Sequence, residues 1–311
     1  MGITLILLVF FVRAAAHPPQ PHHDGDTTVT ITFTGDILLD RGVRERIQHS
    51  GIERLFHPTV DSLFHASDLV VGNLECPVTH VRQPAFKRFV FRGDPEWLPV
   101  LRRHGFTHLN LANNHSIDQG RRGLMDTKAN VEQAGMVPVG AGSDMRKAAR
   151  PVLLCEHPRR VWLMASQRLK LENFAYLPDK PSISQESFDS LLLRVNTLRR
   201  QEPESYIIVT LHWGWEHSLT PLPQQRQEAR ALVNAGADCL VGHHTHTLQP
   251  SETIAGKPVF YSIGNFIFDQ KKPINSRACT VTLHISPSGA TTEVHPVDIQ
   301  TCIPHLLPAQ P

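Results

Sequence analysis

Gly242-His243-His244-Thr245-His246 carries three imidazoles directly after the apolar run Cys239-Leu240-Val241. Imidazole is the commonest protein metal ligand and the usual acid or base near neutral pH. In a chain with 19 histidines, one such cluster is unsurprising. The recurrence of its pattern is more informative. Val29–Thr34 runs into Gly35-Asp36, and Leu69-Val70-Val71 into Gly72-Asn73-Leu74-Glu75. Leu109–Ala112 runs into Asn113-Asn114-His115, and Ile207–Leu211 into His212-Trp213-Gly214. Each apolar run ends in Asp, Glu, Asn or His. In open α/β sheets, sites form at the carboxyl ends of strands. The five ends are therefore expected to converge on one site.

A divalent cation needs several O and N ligands on rigid elements. Asp36 and Glu75 can supply carboxylates. Asn73, Asn113 or Asn114 can supply an amide oxygen, and His115, His212, His244 and His246 imidazoles. This donor set suits Mn, Fe or Zn, whereas Ca prefers oxygen alone. His244 and His246 are two apart, so a strand would turn both into the site and His243 to its other face, where it would orient a neighbour or pack. Taken singly, each residue has a structural reading. Asp36 can cap a helix beginning near Arg41, the asparagines can stabilise a turn, and His212 can be a satisfied core histidine.

The surrounding elements must hold these ends in place. Val29, Ile31 and Phe33 alternate with threonines, which predicts a half-buried strand. Three stretches read as helix, Gly, strand: Arg102–Phe106, Glu132–Met136 and Val233–Ala237. Glycine after a helix takes the left-handed conformation without a Cβ penalty, and the repeated order predicts αβ units on a sheet. Phe188, Leu191, Leu192, Val195 and Leu198 share one face of a helix expected over 184–201. Segments 77–94 and 166–182 are irregular and are expected to cover the site. Residues 278–294 read as an antiparallel hairpin, so the sheets should be mixed.

The chain has 311 residues, 41% hydrophobic, with a net charge of +2. That suits one large domain or two small ones and argues against nucleic acid as a partner. Five cysteines without a C-x-x-C pair indicate neither a disulfide framework nor a zinc knuckle. Residues 3–12 form an apolar run too short to span a bilayer, and Ala14-Ala15-Ala16 follows. The expectation is a signal peptide over 1–16 and an extracytoplasmic protein, periplasmic, secreted or membrane-associated. A Pro- and His-rich linker over 17–27, one domain over 28–300 and a tail over 301–311 complete the organisation.

Six ordered motifs resemble the CapA-type poly-γ-glutamate capsule synthesis proteins, which have the calcineurin-like metallophosphoesterase fold. They are Phe33–Asp36, Gly72–Glu75, Ala112–Asp118, Leu211–Gly214, Gly242–His246 and Tyr261–Phe266. The resemblance implies an α/β fold, a four-layer α/β/β/α sandwich with mixed sheets. It implies that Asp36, Asn114, His212, His244 and His246 match metal ligands, and that His115 matches the acid protonating the leaving group. Leu38 stands where an early histidine is expected, and Asn73 where a bridging aspartate is expected; Glu75 offers a replacement carboxylate. Asp36, Glu75 and His115 are thus the candidate catalytic residues, and one or two divalent ions the candidate cofactor.

Three functions compete. The first is a metal-assisted hydrolase, phosphoesterase-like or directed at γ-glutamyl bonds, acting on an anionic polymer or peptide. Lys and Arg of Phe86–Arg92 would bind carboxylates, unless that segment is a solvated strand edge. The second is a metal-independent acid–base enzyme of the peptide-epimerase kind. The third is a non-catalytic assembly component that binds polymer or a membrane capsule synthase.

Overall fold

The computed structural model describes residues 28–172 and 174–308, so the expected signal peptide and linker lie outside the described residues. Two large mixed sheets form the centre. In the first, the order is Ile303–Leu306, Ala290–Gln300, Arg277–Ile285, Val29–Ile37, Leu69–Leu74, His108–Asn110, Val137–Val139, with Asn265–Ile267 beside the end of Val29–Ile37. The second runs Ser251–Ile254, Lys257–Phe260, Cys239–His243, Tyr206–His212, Val161–Gln167, Val152–Cys155. The inner strands of each sheet are parallel and antiparallel partners flank them.

Three apolar clusters define the layers. Val29, Ile31, Phe33, Leu69 and Val71 of the first sheet pack against Val161, Leu163, Ile208 and Val241 of the second. Outside the first sheet, Val43, Val60, Phe64, Leu101, Leu124 and Val131 from four helices cover Val70, Leu74 and Leu109. Outside the second, Leu191, Val195, Ala229 and Leu232 from two helices cover Ile207, Val209 and Leu240. The result is the expected α/β/β/α sandwich.

The expected helix ends are present. Gly105, Gly135 and Gly236 have φ of +106°, +79° and +116°, each just before a strand. The helix expected over 184–201 starts at Phe188, where Ser187 caps it by accepting from the Ser190 N–H. Val29–Ile37 departs from expectation because it is buried on both faces. Its buried hydroxyls find partners inside the fold: Thr32 Oγ1 lies 2.9 Å from Thr282 Oγ1 and 2.7 Å from Ser67 Oγ, and Thr34 Oγ1 donates to the Gly35 carbonyl at 3.4 Å. The alternation reported two chemically different covered faces rather than one wet one. The domain also passes residue 300, since Ile303–Leu306 pairs with Ala290–Gln300. All five cysteines are free, and Cys76 and Cys239 are buried among apolar side chains.

Candidate active site

Strand register brings the polar ends together. Asp36 lies opposite Asn73, and Asn73 opposite Asn110, in the first sheet. His243 lies opposite His212, and His212 opposite Gln167, in the second. Close backbone approach at both site strands requires glycine. A Cβ on Gly242 would stand 1.9 Å from the Tyr261 carbonyl, and one on Gly35 2.1 Å from that of Gly264.

Asp36 is fully buried. Its Oδ1 accepts from Asn73 Nδ2 at 2.7 Å and lies 3.4 Å from His243 Nδ1. Its Oδ2 accepts from the His244 N–H at 3.3 Å and lies 3.2 Å from His246 Nδ1. Burial raises the carboxyl, but the hydrogen bonds and charges of His243 and His246 outweigh it and hold Asp36 well below the usual range. Asp36 therefore does not cap the helix Arg41–Ser50; Asp40 does, accepting from the Arg41 N–H.

Glu75 is equally buried, yet among the described residues neither of its oxygens meets a hydrogen-bond donor. Oε1 lies 3.5 Å from His212 Nε2 and 3.8 Å from His246 Nε2. Burial, then the charges of Asp36 and Glu216, pushes its carboxyl well above the ordinary range. His212 Nε2 instead meets Asn114 Oδ1 at 2.8 Å. The His244 ring is 4.8 Å from that of His212, and its buried Nδ1 has no hydrogen-bond partner among the described residues. Burial, then the charge of His246, pushes His244 down to about 3, and burial, then His244, lowers His212.

Among the described residues, two sets of ligand atoms each lie within 4.8 Å of one another: Glu75, His212 and His244, and Asp36, Glu75 and His246. Glu75 belongs to both. A buried carboxylate without donors is costly, and a cation between these groups would remove that cost. The residues thus fit one or two divalent ions with nitrogen and oxygen ligands, Glu75 being the shared one. Leu38 is buried in an apolar cluster and supplies no ligand.

Several placements differ from those expected. The strand ends at His243, so His244 and His246 are not presented by alternation. Both have positive φ, +91° and +58°, and this left-handed backbone turns them inward. His243 lies beside Asp36, in keeping with the expectation that it orients a neighbour, but it does so from the site side of the strand end. Asn73 directs its NH2 at Asp36, while its Oδ1 accepts from Asn110 at 2.9 Å and Asn113 at 3.4 Å. Reversing the amide would press oxygen against the Asp36 carboxylate, so Asn73 orients Asp36 rather than offering an oxygen.

His115 is held by two residues. Asn113 Oδ1 accepts from the His115 and Ser116 N–H groups, fixing the turn. Asp118 Oδ2 binds His115 Nδ1 at 2.9 Å. Burial lowers His115, and Asp118 partly offsets that. Lys87 was expected to bind substrate carboxylates, but it is buried 2.6 Å from Asp118 and donates to the Asn114 carbonyl at 3.0 Å. Arg92 is likewise engaged, with Asp94 and the Thr79 carbonyl. Segment 86–92 is irregular rather than a strand. Asp118, Asn110 and Asn265, whose Oδ1 meets His246 Nδ1 at 2.9 Å, were not among the expected site residues. Asp118 and Asn265 do fall inside quoted motifs, which was the available signal.

The profile of the family described as "Bacterial capsule synthesis protein PGA_cap" matches residues 30–270. The "Capsule biosynthesis protein CapA" of Bacillus anthracis is 31% identical over 307 residues, covering 96% of this chain and 74% of that protein. The "PGA biosynthesis protein CapA" of Bacillus subtilis strain 168 is 30% identical over 306 residues, covering 97% and 80%. Among solved structures, the Haemophilus influenzae NAD nucleotidase NadN superposes with a TM-score of 0.49 at 12% identity, covering 91% of this chain and 60% of that one.

Proposed function

The chain belongs to the bacterial capsule synthesis protein family, and from that premise we propose that it is a metal-assisted hydrolase of capsule biosynthesis. Its substrate would be an anionic polymer of the poly-γ-glutamate kind or a phosphorylated precursor. The observation that carries this reading is Glu75: a buried carboxylate without donors, shared by two sets of candidate ligands. Asp36, Glu75, His212, His244 and His246 would hold a Mn, Fe or Zn ion, with Asn114 Oδ1 beside His212. Such an ion would activate water and polarise a carbonyl or phosphoryl oxygen.

The protein's own groups do the remaining work. Asn73 and the His244 N–H orient the Asp36 carboxylate by hydrogen bonds. Asp118 takes Nδ1 of His115, which leaves Nε2 for substrate. In its protonated form, His115 would give the Nε2 proton to the leaving oxygen or nitrogen. The buried surroundings exclude competing water.

Elemental analysis and Mn2+ titration of wild type and His244→Ala/His246→Ala test the reading. The double variant is expected to lose bound metal and the hydrolysis of p-nitrophenyl phosphate or poly-γ-glutamate. Equal metal binding by both proteins would refute it, and hydrolysis that survives exhaustive chelation would favour a metal-free acid–base enzyme. We further propose that the protein works outside the cytoplasm, beside a membrane capsule synthase, on the strength of residues 3–16. Mass spectrometry of protein recovered from cell fractions would find a mature N-terminus near His17; an intact cytosolic chain would overturn this.

A further inference from the structure

Arg41 holds a backbone conformation that arginine rarely adopts. Its φ is +50°, in the left-handed region, at the first position of the helix Arg41–Ser50. Such strain persists only where the surroundings impose it, and it concentrates at functional sites. Here Asp40 accepts from the Arg41 N–H at 2.8 Å, and Asp269 accepts from the Gly42 N–H at 3.1 Å.

The conformation places the guanidinium between two aromatic rings. Its carbon lies 4.7 Å from the centre of the Phe91 ring and 5.5 Å from that of Phe268. Each ring in turn packs on a site histidine, Phe91 on His115 at 4.3 Å and Phe268 on His246 at 4.6 Å. Arg41 is thus one ring removed from both imidazoles, within about 10 Å, the reach of roughly three residues of extended chain. Asp269 Oδ1 accepts from Nη2 of the guanidinium, which together with the two rings restricts its rotation. The side chain remains 35% exposed and lines a cavity of about 900 Å³. Arg46 and Lys271 line that cavity with Glu45 and Asp298, so it is no general anion trap.

We infer that Arg41 is a specificity residue of the candidate site: it binds an oxyanion of the substrate that flanks the scissile group, and so sets which bond reaches His115. A planar guanidinium held in a fixed orientation suits two-point binding of carboxylate or phosphate. This rests on the hydrolase reading above. The oxyanion is a carboxylate of a polymer or a phosphate of a precursor.

Calorimetric titration separates these sources and tests the assignment. The probes are penta-γ-glutamate, its methyl ester, and phenyl phosphate, each added to Mn2+-loaded and to chelated protein. Wild type should bind one of the two anions and not the ester. Arg41→Gln should bind that anion at least 10-fold more weakly, and Arg41→Lys should fail to restore it, because an ammonium lacks the planar fork. Arg46→Gln should resemble wild type, and Mn2+ affinity should be the same in all. A wild type that binds neither anion overturns the inference, as does an Arg41→Gln protein that binds as well as wild type. Should Arg41→Gln not fold, wild-type affinity in Arg41→Lys overturns it instead. Absence of Mn2+ binding by wild type would refute the hydrolase reading, while anion binding to the chelated protein would still decide the role of Arg41.

Discussion

Asp118 Oδ2 lies 2.9 Å from His115 Nδ1, and every other partner of that carboxylate is a donor: the Phe91 N–H and the Lys87 ammonium. Asp118 is therefore an acceptor throughout and, at 2.9 Å against 3.4 Å for the Lys87 ammonium, it is the nearer partner of Nδ1 and draws the proton of His115 to that atom. This fixes the tautomer and leaves Nε2 for chemistry. Asp118→Asn offers an NH2 group in its place and favours the wrong tautomer. Turnover of p-nitrophenyl phosphate should fall by roughly 10²–10⁴, with Mn2+ affinity little changed. Wild-type turnover in a folded variant would remove His115 from the mechanism.

The Lys87–Asp118 pair is itself a stability prediction. The Lys87 side chain is 8% exposed and that of Asp118 fully buried. Removing one partner leaves an uncompensated charge, so Lys87→Met should cost about 3–5 kcal/mol. Lys87→Met/Asp118→Asn should cost less than the two single changes combined, because neither charge is then left alone. Urea unfolding of the four proteins measures the coupling, and simple additivity would show that the pair is not energetically linked.

Much of this site was legible because its positions are written locally. An apolar run followed by a polar residue marks a strand end, and Asp36, Asn73 and His212 lie at strand ends in register. Glycines after helices mark turns, and Gly105, Gly135 and Gly236 obey. What escaped depends on tertiary contact. The Lys87–Asp118 pair joins a covering loop to the His115 turn, and no periodicity reports it. Backbone inversion at His244 and His246 also escaped, since alternation presumes an extended chain. The burial of Thr32 and Thr34 was missed because hydroxyls that find partners inside the fold, Thr32 with Thr282 and Ser67 and Thr34 with the Gly35 carbonyl, look in sequence like hydroxyls facing water.

Gly242 allows the second sheet to deliver its histidines. A methyl group there would meet the Tyr261 carbonyl at 1.9 Å and Trp213 Nε1 at 2.6 Å. The Trp213 indole donates to that same carbonyl, so neither neighbour is free to move. Gly242→Ala should lose at least about 1–3 kcal/mol, with Mn2+ affinity falling as His243–His246 shift. A variant with unchanged melting temperature and metal binding would show that the strand can yield.

His108 gives a pH dependence. It is fully buried, and burial, then the charge of Arg102, pushes it down to about 4 from an ordinary 6.5. Between these values the unfolded chain binds a proton that the folded protein refuses, so stability must fall as pH drops. The loss begins near 6.5, is complete below about 4, and amounts to roughly 3 kcal/mol for this one residue. His108→Gln cannot titrate, so its stability should decline less over that interval. Parallel pH profiles of the two proteins in chemical denaturation would exclude His108 as a source of acid sensitivity.

Glu75→Gln separates a ligand from a structural acid. In the metal-free protein, Glu75 is a buried carboxyl without donors beside the charge of Asp36. Glutamine has the same shape, carries no charge and brings a donor. The metal-free variant should therefore melt at or above the wild-type temperature. With Mn2+ present the order should reverse. An ion that binds only the folded state adds about 2.7 kcal/mol at a hundred times its dissociation constant. Glu75 belongs to both candidate ligand sets, whereas His212 and His244 belong to one and Asp36 and His246 to the other. Glu75→Gln should thus lose more of the Mn2+-induced shift than His244→Ala. A purely structural Glu75 predicts a lower melting temperature in both conditions and an undiminished Mn2+ shift. Thermal melts of the three proteins, with Mn2+ and with chelator, distinguish the outcomes, and a full Mn2+ shift in Glu75→Gln would place any metal away from this carboxylate.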